Sequence, residues 1–435
     1  MRARNSRASR WSDRVPAKPR VRIFSWACFD FANSAFGTLI GTFIYATYFT
    51  KGISENYIEG TRSWGNAIAL SAILIAVLSP PLGALADAYA WKRRLMFAMI
   101  CLCSAGSVAL YFPQQGDVLW ALSLFVVANT AIELAIVFNN GFLPELAPPE
   151  KQGKVSGMAW GFGYLGGLLC LGIALVGFVM PEEPWFGLSK EGAQNVRATC
   201  LLVGAWVLVF SLPMALWLHE KKAPSQSDGW WNVGRRSFGR LIETLSHVRR
   251  YRKVFWLLVA RAFYNDGLVT VFAFGAIYAT GTFGFEQTDV IVFGIVLNVC
   301  AGLGAFAFGF LEDRIGSRTT VMISLVCLVA CSSAAIFVQS QSAFWVCAIF
   351  LGIFIGPNQS ASRVFLSRIA PEEKASEFFG FFAMSGKVTA FIGPFLCGQL
   401  TAQFGTQRAG MAVVPALMVL GLAIFAAKTG EKREA

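Results

Sequence analysis

Five ionisable residues stand inside long apolar stretches of this sequence: Asp30, Glu133, Arg261, Asp266 and Lys387. A charge held in hydrocarbon is costly unless it is paired or wetted. Each of the five is therefore expected either to pair with a charge on another element or to face an aqueous hollow. A carboxylate so placed can take up a proton or hold a cation, and Arg261 and Lys387 can act as counter-charges or anchor the carboxylate of a small solute. Static pairing between helices is the competing reading for all five. Asp30, Asn33, Ser34, Gly37, Thr38 and Gly41 recur at i, i+3, i+4 spacing, a small polar stripe expected to line a pathway. Arg261 and Asn265 share one helix face, whereas Asp266 lies about 140° around from Arg261, so those two charges are not expected to pair within their own helix.

The elements that carry these residues follow from composition. Of 435 residues, 55% are hydrophobic and 14% charged, too little polar side chain to cover a soluble globule of this size. A membrane-spanning helix takes about 20 apolar residues, and runs of that length recur between short polar joints. Spans are expected at 23–49, 65–86, 95–112, 118–141, 155–179, 198–217, 254–281, 290–310, 319–338, 343–362, 376–402 and 409–427. Alternation at strand period is absent, which argues against a barrel. The five intramembrane charges fall in spans 1, 4, 7 and 11.

The net charge of +12 reflects topology rather than a nucleic-acid partner. Thirty of the basic residues lie in the N-terminal stretch, the C-terminal stretch and the joints after even-numbered spans, against five in the opposite joints (Lys51, Arg62, Lys190, Arg197, Arg408). By the positive-inside rule both termini are expected in the cytoplasm. The basic opening of the chain could be read as an organelle transit peptide, but it lacks a signal-peptide core and cleavage site. All ten cysteines fall within spans, where thiols pack as small hydrophobes, so neither a disulfide framework nor a metal site is expected. His219 and His247 fall in the central joint and read as solvated linker residues.

The chain repeats its own plan. Gly83 to Arg94 (GALADAYAWKRR) follows span 2 and Gly309 to Arg318 (GFLEDRIGSR) follows span 8, with Asp87 and Asp313 226 positions apart. Ala147-Pro-Pro-Glu-Lys151 before span 5 matches Ala370-Pro-Glu-Glu-Lys374 before span 11, at an offset of 223, and Gly157 and Gly380 follow at the same distance. Two echoes at nearly one offset indicate a six-plus-six parallel duplication. The expected organisation is a basic tail (1–22), a six-helix half (23–217), a linker (218–253), a second half (254–427) and a short tail (428–435). Trp230, Trp231 and interleaved basic residues give the linker a partly amphipathic character suited to a membrane surface, with a plain tether as the alternative. Gly157, Gly161, Gly163 and Gly167 on span 5 form small-xxx-small pairs, and Gly386, Gly393, Pro394 and Gly398 loosen span 11.

The repeated G-x-L-x-D-(R)-x-(G)-x-(K/R) pattern resembles the loop signature of the major facilitator superfamily. That resemblance implies an all-α membrane protein of twelve helices in two pseudo-symmetric six-helix halves. A carboxylate in such a turn can accept hydrogen bonds from a neighbouring helix N-terminus and pair with arginine, latching one gate state. Asp87 and Asp313, with Arg93, Arg314, Arg318 and Arg363, are the gating candidates. The first copy carries Ala88 and Ala90 where arginine and glycine are usual, so its latch is expected to be the weaker. Asp30-Phe-Ala-Asn33-Ser34, Asn140 to Leu146 (NGFLPEL), Tyr264 to Gly267, Gly356-Pro-Asn-Gln359-Ser-Ala-Ser362-Arg363, Ser385-Gly386-Lys387 and Gly393-Pro394 further resemble the autophagy-related vacuolar amino-acid effluxers and their bacterial relatives. The resemblance implies membrane transport, with amino-acid export as the first candidate activity, and adds Gln359, Ser362, Arg363 and Lys387 as site residues.

The expected protein is a secondary transporter of a small polar solute, proton-coupled, monomeric, set in a bilayer of bacterial inner-membrane type and needing no cofactor. The expected pathway residues are Asp30, Asn33, Glu133, Arg261, Asn265, Asp266, Gln359 and Lys387. A lipid or lysolipid flippase on the same fold is the rival. No nucleotide-binding loop, nucleophile elbow or metal cluster supports an enzyme.

Overall fold

The computed structural model describes residues 19–220 and 251–430, and among these no strand occurs. Among the described residues eleven helices are long and apolar enough to cross a membrane. The twelfth, Lys92–Ala109, is 18 residues long and opens on three basic side chains, which lower its apolar character. In chain order the first half comprises α1 (Pro19–Ile53), α2 (Tyr57–Tyr89), α3 (Lys92–Ala109), α4 (Val118–Gly141), α5 (Gln152–Ala174) and α6 (Gln194–Trp217). The second comprises α7 (Arg252–Phe283), α8 (Gln287–Ile315), α9 (Ser317–Phe337), α10 (Gln341–Ile369), α11 and α12 (Val413–Lys428). Helix α11 is two pieces, α11a (Ala375–Val388) and α11b (Ile392–Phe404). The spans thus match the expected twelve, several running a turn or two longer, and a short helix, Gln407–Met411, precedes α12. The segments 1–18, 221–250 and 431–435, which include Trp230, Trp231 and His247, lie outside the described residues.

Apolar packing divides along the same line. One core gathers Trp26, Phe29, Phe125, Phe138 and Trp206 from α1 to α6, and a second gathers Tyr264, Leu325, Phe365, Phe379 and Met418 from α7 to α12. Within its half α3 packs on α4 and α6, and α9 on α10 and α12, away from the interface between halves. Across the halves α2 packs on α11a, α5 on α8 and α10, and α4 on α11a.

These crossings lie at one end of the bundle. Arg22 Nη2 donates to the His219 carbonyl at 3.4 Å, placing the start of α1 beside the end of α6, and Arg318 Nη2 donates to the Ala426 carbonyl near the end of α12 at 2.9 Å. At this basal end glycines let backbones from opposite halves touch. A methyl group built on Gly157 of α5 would stand 2.6 Å from Gly309 Cα of α8, and one on Gly380 of α11a would stand 2.7 Å from Pro80 Cα of α2. The paired glycines of the sequence repeat therefore occupy equivalent contacts. Beyond the break in α11 the arrangement differs: α11b packs on α7, the short helix and α12, all of its own half.

Replacing Gly380 by leucine should force α2 and α11a apart at the basal end while leaving each half folded. Spin labels at positions 94 and 373, on exposed sites of opposite halves, should then report a longer distance than in the parent.

Candidate functional site

The two loop aspartates sit at helix N-termini of the opposite half. Asp87 Oδ2, at the end of α2, accepts from the Glu377 amide in the first turn of α11a at 2.8 Å. Asp313, at the end of α8, accepts from the Gly153 and Lys154 amides in the first turn of α5 at 2.9 and 3.0 Å. First-turn amides have no partner within their own helix, and a carboxylate there also meets the positive end of the helix dipole. Each aspartate has a cation: Lys92 Nζ lies 3.3 Å from Asp87, and Arg368 Nη2 lies 3.4 Å from Asp313. Lys92 is 5% exposed and also bonds Glu145 at 2.8 Å, so the first latch, although it lacks the usual arginine, holds a buried lysine between two carboxylates. Ala90, where glycine is usual, adopts φ +52°, and its counterpart Gly316 adopts φ +85°.

The remaining gating candidates divide. Arg93 donates to the Leu218 carbonyl and Arg318 to α12, both within their own halves, and Arg314 is exposed. Glu220, beyond the end of α6, accepts from the Lys92 and Arg93 amides and so caps α3. Burial lifts its carboxyl to about 6 against the pull of those two donors.

Arg363, which the sequence places near the basal end of its span, is 3% exposed in the centre of the interface between halves. Its Nη1 donates to Asp30 Oδ2 at 3.0 Å and to Asn140 Oδ1 at 3.2 Å, Nε to Ser156 Oγ at 2.9 Å, and Nη2 to the Ser156 carbonyl at 3.0 Å. Asn139 Nδ2 donates to the other oxygen of Asp30 at 3.2 Å. The guanidinium carbon lies 4.8 Å from the Trp26 ring centre and 5.6 Å from that of Trp160. All of these partners belong to the first half. Gln359, one turn before Arg363, accepts from Tyr164 across the same interface at 3.4 Å.

Deeper from the basal end, Lys387 Nζ of α11a bonds Glu133 Oε1 of α4 at 2.7 Å, with each side chain 28% exposed. This second ion pair across the halves lies beside the break at residues 389–391. The break leaves helix-end amides and carbonyls, and side chains of α7 bond the backbone on both sides of it. Arg261 donates to the Phe382 carbonyl at 2.8 Å and Asn265 to the Gly386 carbonyl at 3.1 Å, while Asp266 accepts from the Gly393 amide at 3.0 Å. A cation thus meets the negative end of α11a and a carboxylate the positive end of α11b. Arg261 also lies 3.7 Å from the centre of the Phe382 ring and makes no ion pair among the described residues.

The polar stripe of α1 departs from its expected role. Built methyl groups on Gly163 and Gly167 of α5 would meet Ser34 and Thr38, so the Asp30–Ser34–Thr38 edge is packed against a glycine ridge. Asn33 donates to the Phe29 carbonyl of its own helix and remains partly exposed, beside exposed Gly37. From Phe36 to Phe43 the helix widens to π-helical turns. Sequence reading missed Lys92, Glu145, Asn140, Ser156 and Arg368 as ionic or hydrogen-bonding partners. Asn140, Glu145 and Lys92 stood inside quoted motifs, but nothing local marked whom they meet.

A twelve-helix bundle of two repeated halves, joined at one end by reciprocal carboxylate caps and crossed by two ion pairs, defines a major facilitator superfamily transporter. Solved structures agree on the fold. An outward-conformation structure of the transporter FucP aligns with a TM-score of 0.71, 15% identity and coverage of 95% of this chain and 99% of that one. The proton:xylose symporter XylE aligns at 0.69 and 14%, covering 95% of each chain. The model of the family described as "Vacuole effluxer Atg22 like" matches residues 66–434, and the chain belongs to that family. Among its relatives, the MFS-type transporter YxiO of Bacillus subtilis (strain 168) is 26% identical over 92% of this chain and 93% of its own. Autophagy-related protein 22 of Coccidioides immitis (strain RS) is 20% identical over 81% of this chain and 70% of its own.

Asp30→Asn should leave Arg363 buried without its counter-charge, at a cost of about 3 kcal/mol to the basally closed state. The 94–373 label distances should then shift toward the basally open population by about 100-fold in the equilibrium ratio, and adding Arg363→Met should reverse most of that shift. Ala90→Gly should raise the thermal stability of the purified protein by about 1 kcal/mol, since only glycine adopts that backbone without strain.

Proposed function

We propose that the protein is a proton-coupled exporter of amino acids that works by alternating access, in a bacterial inner membrane with its basal end in the cytoplasm. The observation that carries this reading is the Glu133–Lys387 pair, which joins the two halves, is 28% exposed and stands beside an arginine that has no carboxylate partner among the described residues. A zwitterion needs both signs within reach. Arg261 and Lys387 suit a substrate carboxylate, and Glu133 suits an ammonium group or the coupling proton. Glu133 serves either the ammonium group or the proton, so the two compete at one residue pair, the linkage that export against inward proton flow requires. With the basic joints in the cytoplasm the described state faces outward, as do the FucP structure and a bacterial ferroportin homologue that aligns at a TM-score of 0.68. The domain limits at 218–253 and a monomeric state belong to the same reading. A lipid or lysolipid flippase is the alternative; the intramembrane charges of both signs favour the polar solute.

Purified protein in liposomes should exchange labelled amino acids across the bilayer, and an imposed pH gradient should drive net flux. Glu133→Gln should retain exchange but lose the response to the gradient, and Lys387→Met should lose binding. Unchanged coupling in neutral variants of all five intramembrane charges would sink the proton mechanism. Displacement of bound probe by lysolipids but not by amino acids would favour the flippase.

A further inference from the structure

A second concavity lies on the flank of the bundle, away from the central pair. It is a groove of about 980 Å³ between α1 and α5 of the first half and α8 of the second. Its walls are apolar, formed by Ile23, Phe24, Met158, Leu165, Leu303 and Phe306 among others. Its basal end carries Arg20, Lys151 and Lys154, and no carboxylate lines it. Neither Glu133 nor Lys387 belongs to it. A long apolar trough on a membrane-facing flank, closed at the interfacial end by three cations, has the charge and shape of an anionic amphiphile.

We propose that this groove is a binding site for one anionic glycerophospholipid, with acyl chains between α1, α5 and α8 and the phosphate against Arg20, Lys151 and Lys154. Charge complementarity selects this occupant. Residues 1–18 carry six Lys or Arg against one acidic residue, so folding them into the groove would set cations on cations. A second copy meeting the first through this face by a two-fold axis would oppose the same three cations to one another. The phosphate answers them, at about 1 kcal/mol for each basic residue near an anionic surface. The walls come from both halves, and the Lys154 amide is itself held by Asp313 at 3.0 Å. A lipid seated here therefore grips the closed basal end and favours the state in which that latch is made.

Native mass spectrometry of the full-length protein, titrated with phosphatidylglycerol or with phosphatidylcholine of the same chains, tests the site. One phosphatidylglycerol per chain should persist where phosphatidylcholine is lost. The surface variant R20Q/K151Q/K154Q should weaken phosphatidylglycerol binding by about 100-fold, and Leu303→Trp, which fills the trough, should weaken binding of both lipids. In nanodiscs, phosphatidylglycerol should raise the short-distance population of labels at positions 94 and 373 in the parent but not in the triple variant. Equal retention of the two lipids, indifference to the triple variant, or displacement of the lipid by inorganic phosphate alone would overturn the proposal. A dimer held through this face, or hydrogen-exchange protection of residues 1–18 that persists without lipid, would overturn it in favour of a protein occupant.

Discussion

Arg363 imposes the constraint on which the interface between halves depends. A guanidinium does not lose its proton in a protein, so once α10 carries it into the middle of the bundle its charge must be answered there. Asp30 supplies the opposite charge, and Asn140 and Ser156 take up the remaining donors. Because all of these partners belong to the first half, satisfying one side chain of the second half fastens the two together. A buried ion pair gives little net stability against well-packed apolar residues, but breaking one by removing a single partner is expensive. The halves therefore part at this level only when water replaces what Asp30 and Ser156 provide, and the interface behaves as closed or wet with little between.

The basal latches apply the same rule to backbone. Helices α5 and α11a each follow a short 3-10 turn, Pro149–Lys151 and Glu372–Lys374, and each begins with amides that its own turns cannot satisfy. Duplication places an aspartate of the opposite half over each. The two copies are not equal in detail. The first keeps its charge balance with a buried lysine shared between Asp87 and Glu145, the second with Arg368 at the rim. Lysine is a point charge that tolerates two carboxylates, whereas arginine matches one in a plane. The cation on Asp87 thus comes from four residues beyond Ala88, at the start of α3, while Arg314, at the equivalent position of the second copy, stays exposed.

Much of this was legible in the sequence because it rests on local pattern. Hydropathy marks the spans, the repeated aspartates and the A-P-x-E-K turns mark equivalent corners, and glycine spacing on α5 marks two ridges, one meeting α8 and the other α1. Pairing was not legible. Arg363 and Asp30 are 333 positions apart, and a residue's depth along a helix says nothing of which neighbour it meets. For that reason Arg363 enters as a gating and site candidate just past the end of its span, and Lys92 only as a basic residue of the joint after span 2. One edge of the stripe on α1 faces another helix instead, because the glycines that draw Ser34 and Thr38 into contact lie on α5. The break in α11 left a trace: Pro394 lacks an amide and its ring collides with the carbonyl four residues back, at Ala390, where the helix is interrupted.

That interruption gives α7 its polar residues. A helix broken at bilayer depth exposes carbonyls on one side and amides on the other, and neither can be left to lipid. Asn265 answers the first at the Gly386 carbonyl, with Arg261 one turn earlier at the Phe382 carbonyl, and Asp266, five residues beyond Arg261 and on another face, answers the second at the Gly393 amide. Their types and spacing follow from the polarity of the two helix ends. The break in turn sets Lys387 in the last turn of α11a, where the negative helix end favours a cation and beyond which α11 packs on its own half. Asn265 and Asp266 therefore bear on Lys387 through the break: they brace the interruption beside which it stands partly exposed against Glu133. Loss of Asp266 should disturb that pair without Asp266 touching a solute, whereas loss of Lys387 should remove the pair itself and leave the splint intact.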